Sequence, residues 1–188
     1  YRDPRILIEG IEHMITLEAE HLIGAHGPPL SGTQQILDDL TQYRDSIQFM
    51  WDQTVRGINK GLTLSEITEL VQLPQKYENR YFTQQFYGLV EHHVRQIHNG
   101  LRGWFDGNES ALFPLPASKR AEKLVDGFGG KEKVREEITK ALEEDDLRWA
   151  LELATWLIQQ EINKNGRSNG GEIEDRNRLA SILRKIGQ

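Results

Sequence analysis

Apolar residues recur along this chain at steps of three and four with polar residues between them, the period of amphipathic helices. Leu7, Ile11, Met14 and Ile15 share one face after Asp3 and Pro4, a capping residue followed by proline at the first helical position. A helix of about four turns is predicted there. His21 to Ala25 is too short for a packed helix, and its apolar run reads as a buried strand. From Ser31 or Thr33 a longer stripe begins, formed by Ile36, Leu40, Tyr43, Ile47, Met50, Val55 and Ile58, with Gly61 placed to end it. Its length, roughly seven to eight turns, suits a scaffold or a subunit contact. Thr63 and Glu66 have capping-box spacing for a short helix that stops by Leu73-Pro74. Phe86, Val90, Val94, Ile97, Leu101 and Trp104 line another long face, and Phe105-Asp-Gly-Asn108 supplies a turn. The two long helices are expected to form a hairpin and to pack into a subunit interface.

Beyond Pro114-Leu-Pro116 the helices shorten. One runs from Ser118 to near Gly127–Gly130, the next from Lys131 to Glu144, and a third from Asp145 to Gln160, with Leu147, Ala150, Leu151, Ala154 and Leu157 on one face. Residues 163–171 read as a polar loop, and a last helix packs Leu179, Ile182, Leu183 and Ile186. Asp146-Leu-Arg-Trp-Ala-Leu-Glu-Leu-Ala154 resembles a tetratricopeptide helix, but only about one and a half such units fit, too few for a solenoid. The fold class is therefore mainly α.

Composition narrows the function. The 188 residues suit one or two domains with a buried core. A net charge of −6 with scattered Lys and Arg argues against nucleic acid as a partner. No apolar stretch is long enough for a membrane span. Without cysteine there is no disulfide, thiolate zinc site or thiol nucleophile, so any metal must rest on His, Asp and Glu. The chain opens on Tyr-Arg-Asp-Pro without Met or a visible signal peptide, as expected of a mature or excised piece. The compartment stays open, a periplasmic or secreted parent included.

The segment richest in chemistry is Leu22-Ile-Gly-Ala-His26-Gly-Pro-Pro-Leu-Ser-Gly32. An apolar run leads out of a core into a rigid Gly/Pro turn, which holds the imidazole of His26 at a strand end. A catalytic zinc takes three protein ligands, and a loop histidine making an ordinary hydrogen bond is the simpler reading of this segment. The other histidines, His13, His21, His92, His93 and His98, form no H-x-H, H-x-x-x-H or H-E-x-x-H motif. His92 and His93 point about 100° apart on a helix and do not chelate one ion together. Gly88, inside an apparent helical pattern, marks the close approach of a backbone or a ligand. Glu143-Glu-Asp-Asp146 reads as an acidic turn, Trp104, Trp149 and Trp156 as core anchors, and Gly129-Gly130 and Gly170-Gly171 as hinges or caps.

Several pieces taken together resemble the zinc-dependent alkylsulfatases of the metallo-β-lactamase superfamily. These are Tyr1-Arg-Asp-Pro4, Gly24-Ala-His-Gly-Pro-Pro29, Tyr43-Arg-Asp-Ser-Ile-Gln48, Asp52-Gln-Thr-Val-Arg56, Asn59-Lys-Gly61, Gly103-Trp-Phe-Asp-Gly107, Pro114-Leu-Pro116 and Asp146-Leu-Arg-Trp-Ala150, in family order. The resemblance implies that residues 1–32 are the helix–strand remnant of an αββα metallo-β-lactamase-like domain. Residues 33–188 would then be an alkylsulfatase dimerisation domain, with a tetratricopeptide-like part over 118–188. It further implies a parent that hydrolyses alkyl sulfate esters at two zinc ions, a homodimer, and His26 as the one zinc ligand carried by this chain. Tyr87 and His92 match a Tyr-Gly-x-x-x-His stretch that would approach the substrate. Trp51 stands where a His is common in the family and Phe86 where a Tyr is common, which leaves the substrate open. The fragment alone, without the remaining ligands, is expected to be inactive. The competing reading is a stand-alone helical interaction module with a peptide-binding tail and a purely structural His26.

Overall fold

The computed structural model describes residues 3–77, 80–85, 88–165 and 171–187 of the chain. It is mainly α, with eight α-helices and one two-stranded sheet among those residues. The chain divides into two compact units, residues 1–112 and 113–188, which are described separately.

In the first unit, α1 (Pro4–Thr16) starts where the sequence places it. The Asp3 carboxylate accepts the Arg5 backbone N–H at 2.9 Å, and Pro4 takes the first helical position, where no N–H is needed. Two short strands follow, β1 (His21–Leu22) and β2 (Leu30–Ser31), paired antiparallel with His21 opposite Ser31 and Leu22 opposite Leu30. The expected buried strand over His21–Ala25 is thus only two residues long, and Ile23 is 80% exposed. The ladder stops because Gly24 lets the chain turn and Pro28 and Pro29 have no N–H to donate.

The spine of this unit is α2 (Thr33–Asn59), 27 residues long. It ends in a Schellman motif: Gly61, at φ +74°, gives its N–H to Ile58, and the Leu62 N–H reaches back to the Gly57 carbonyl at 3.1 Å. The short α3 (Leu64–Leu70) opens on a complete capping box, with the Glu66 N–H on the Thr63 hydroxyl and the Thr63 N–H on the Glu66 carboxylate at 2.7 Å. The second long stripe yields α4 (Val90–Arg102), shorter than expected because Gly88 and Leu89 precede the helix and Gly103, at φ +83°, ends it. Trp104 therefore lies beyond the helix and is 70% exposed, contrary to its reading as a core anchor.

The apolar stripes of α2 and α4 face inward. Ile36, Leu40, Ile47 and Met50 pack with Val90, Val94 and Ile97, together with Ile8 and Ile11 of α1 and Ile67 of α3. Most of both stripes is thereby buried inside one chain under α1 and α3, while Leu101 and Trp104, at the end of the second stripe, stay exposed. The helix–strand block 1–32 belongs to this same core, since Leu22 and Leu30 pack against it and α1 lies along α2. Trp51 also reaches α1, with the Arg5 guanidinium 5.2 Å from its ring centroid.

The second unit is built around α7 (Leu147–Asn165), which contacts α5 (Ala117–Gly127), α6 (Lys131–Glu143) and α8 (Ile173–Ile186). Its core is Val125, Val134, Ile138, Ala141, Ala150, Leu153, Ala154, Leu157 and Ile182. Leu183 and Ile186, expected in that core, are exposed, because α8 turns only the Ile182 side inward. The acidic turn between α6 and α7 has a structural role. Asp145 takes a left-handed conformation at φ +58°, the Asp146 N–H closes α6 on the Ala141 carbonyl at 2.8 Å, and the Asp146 carboxylate caps α7 by accepting the Trp149 N–H at 3.0 Å. Across the unit, the Arg135 fork grips the buried Asp175 carboxylate at 2.9 and 2.7 Å. Lys131 joins Glu161 of α7 to Glu172 at the head of α8.

Two glycines test how tightly the first unit is packed. A Cβ on Gly57 would meet the Ile67 Cγ1 at 2.7 Å, and Ile67 is fully buried and cannot yield, whereas a Cβ on Gly10 of α1 meets nothing within 4 Å. Replacing a helical glycine by alanine gains about 1 kcal/mol, and overpacking costs about 1–3 kcal/mol. Gly10→Ala is expected to raise the urea midpoint and Gly57→Ala to lower it. In the second unit, Asp175→Ala leaves the Arg135 charge without its buried partner and is expected to cost about 3 kcal/mol in chemical denaturation.

Candidate metal-ligand loop

The β1–β2 pair turns Ile23–Pro29 into a hairpin loop, and His26 stands exposed in its middle. It lies four residues past Leu22, so the strand end that the sequence suggests is a loop apex. Local chemistry sets its shape. Gly24 leaves room for the His26 carbonyl, which an added Cβ would approach to 3.0 Å, and Gly27 takes φ +85°. At the loop base, His21 Nδ1 and the Ser31 hydroxyl are 3.0 Å apart across the strands.

The far side of the loop rests on an aromatic residue distant in sequence. The Tyr81 hydroxyl donates to the Pro28 carbonyl at 3.4 Å, and the same oxygen would stand 2.5 Å from a Cβ on Gly27. Tyr81 meets Phe82 edge to face at 4.8 Å between centroids, and Phe82 lies 5.5 Å from Tyr43, so the support runs from the loop to α2. Burial pushes the Tyr43 phenol above its ordinary value. Sequence reasoning missed Tyr81, since nothing in the local pattern marks a residue that acts 53 positions away.

The donor chemistry of His26 fits one zinc ligand, an imidazole held on a constrained loop. Among the described residues no group of three His, Asp or Glu side chains stands together to hold a metal. Of the substrate-adjacent pair, His92 is exposed in the first turn of α4, and Tyr87 lies outside the described residues, as does Phe86. His13 is exposed on α1.

Around α4 the sequence signals resolve differently from expectation. Gly88 is not helical, and what approaches it is the chain's own His93, whose Nε2 would stand 2.8 Å from an added Cβ. Leu89 cannot cap α4 with its side chain, and the Gln85 carbonyl oxygen accepts the Val90 N–H at 2.9 Å instead. Burial, with the adjacent His92 charge adding to it, holds His93 below the ordinary histidine value. His98 is buried and its Nδ1 has no hydrogen-bond partner among the described residues. Burial is the largest cause of its lowered pKa; the Arg102 charge adds to it, and Asn99 and Asp106 oppose it.

With this geometry in hand, the class is a mainly helical scaffold that carries a histidine on a supported hairpin loop. The chain belongs to the alkyl sulfatase dimerisation family, whose model matches residues 63–188. A linear primary-alkylsulfatase from a Pseudomonas species is 36% identical over 160 residues, 85% of this chain and 30% of that protein. The alkyl/aryl-sulfatase BDS1 of Saccharomyces cerevisiae is 31% identical over 77% of this chain and 22% of its own length. Among solved structures, the stereoselective inverting sec-alkylsulfatase Pisa1 from Pseudomonas sp. has a TM-score of 0.82 at 25% identity, covering 98% of this chain and 28% of that one. The chain therefore spans under a third of the length of these relatives.

Burial of His98 ties part of the fold's stability to its neutral form. His98 binds its proton less readily folded than unfolded, so between its lowered pKa and the ordinary value the unfolded state holds more protons. The stability tied to a neutral His98 is present above the ordinary value, near 6.5, and is lost as pH falls below it. His98→Gln is expected to flatten the dependence of the urea midpoint on pH between about 5 and 7.

Proposed function

We propose that this chain is the dimerisation part of an alkylsulfatase, preceded in residues 1–32 by the end of its metallo-β-lactamase-like catalytic domain. Its substrate class would be alkyl sulfate esters. The observation that carries the reading is the match of the alkyl sulfatase dimerisation family across residues 63–188. The alkylsulfatase names of the relatives support it, and so does their greater length, which leaves room for a catalytic domain outside these residues.

On this reading His26 contributes one imidazole to a zinc site whose other ligands lie outside this chain. Bound zinc would supply Lewis-acid stabilisation of the charge that develops on the sulfate ester. The chain's own part is to hold the His26 imidazole outward on its loop. His92, exposed at the start of α4, is assigned to the mouth of that site by the same resemblance. The 188 residues alone, with one of the three or more ligands such a site needs, have no sulfatase activity of their own.

For the dimer, the apolar surface left exposed in the matched region is the candidate contact. Leu101 is 43% exposed and Trp104 70% exposed, and Trp104 and Phe105 form an edge-on pair at 5.7 Å. Large aromatic side chains of this kind are enriched at subunit contacts.

Sedimentation of the 188-residue chain is expected to give a homodimer, and Trp104→Glu to shift it to monomer with unchanged helicity. A compact monomer at high concentration would count against the dimer. For the protein expressed from its complete reading frame, zinc analysis and an alkyl sulfate assay are expected to show activity that His26→Ala lowers together with zinc content. Activity from residues 1–188 alone would refute the incomplete-site reading.

A further inference from the structure

We infer that Tyr81 is a positioning residue for the His26 loop, so that the dimerisation region seats the ligand loop as well as joining subunits. The inference rests on the reading of His26 as a zinc ligand. Tyr81 lies inside the region 63–188 matched by the dimerisation family, and the loop it touches lies outside it.

Two contacts converge on one oxygen. The Tyr81 hydroxyl is a donor to the Pro28 carbonyl, and proline leaves the loop without two N–H groups that could have fastened it by its own backbone. The same oxygen packs on the face of Gly27 where any side chain would project, at 2.5 Å from the Cβ position. Gly27 is the residue directly after His26, so its left-handed backbone turns the chain at the histidine. The ring is braced on one side, where Phe82 meets it edge to face and is itself packed against Tyr43 and the core. The two-residue strands fix only the base of the loop. Tyr81 fixes its far side. Residues that orient a metal ligand without touching the metal typically change metal affinity 10- to 100-fold when removed.

The test uses the protein from its complete reading frame, as Tyr81→Phe, Tyr81→Ala and His26→Ala. The readouts are zinc affinity by chelator competition and backbone hydrogen exchange of the peptide covering residues 23–29. Tyr81→Phe removes only the hydroxyl and keeps the ring, so it guards against simple unfolding. The expected result is faster exchange confined to the loop in both Tyr81 variants, with zinc affinity falling about tenfold in Tyr81→Ala and less in Tyr81→Phe. If His26→Ala weakens zinc binding and the Tyr81 variants do not, the positioning role is overturned and the ligand reading survives. If His26→Ala leaves zinc affinity unchanged, the ligand reading falls and takes the positioning role with it. Unchanged loop exchange in Tyr81→Ala removes the clamp itself.

Discussion

Everything in the first unit depends on burying the single apolar stripe of α2. Ile36, Leu40, Ile47 and Met50 present one continuous face, and α1, α3 and α4 each bury their own apolar side chains by lying on it. A helix of 27 residues gains little from intrinsic propensity compared with what such packing supplies. The hairpin follows from the same constraint, because Leu22 and Leu30, opposite each other across the strands, pack against this core. The loop between them is thereby pushed outward with His26 in its middle. The site is a by-product of where the core ends.

The second unit reaches order by a different balance. No helix there matches the length of α2, and helix ends are tied by local devices: a Schellman turn at Gly129–Gly130, the double use of Asp146, and acidic residues in the first turn of α8 with basic ones in its last. Charges then stitch α6, α7 and α8 together around a small aliphatic core. The buried part of this network, Arg135 with Asp175, ties α8 to α6 through a two-pronged bond while both helices pack on α7.

Helices were legible in the sequence because their signals are local. The Asp3-Pro4 start, the Gly61 stop, the Thr63/Glu66 box and the 3.6-residue stripes each name their own element. The histidine-bearing turn was legible too, from the bracketing glycines and prolines. What escaped was set by distance along the chain. β2 has two residues and no period to detect, and its pairing with β1 appears only when both pack on α2. Tyr81 carries no mark of its partnership with Pro28. The inward direction of the α2 and α4 stripes could not be told from an outward one, since an apolar face reads the same whether its cover comes from its own chain or another. Gly88 marks a point of close approach in the sequence, and the approaching group is His93 on the next helix.

The fastening of the hairpin loop also has a consequence for how the molecule is made. Pro28 and Tyr81 are 53 residues apart, so on a ribosome the loop emerges well before its anchor. Contacts of that sequence separation close late, after the local helical turns on either side have formed. The imidazole of His26 is therefore chemically present before it is spatially committed. Between those two moments it is an ordinary histidine on a loose segment.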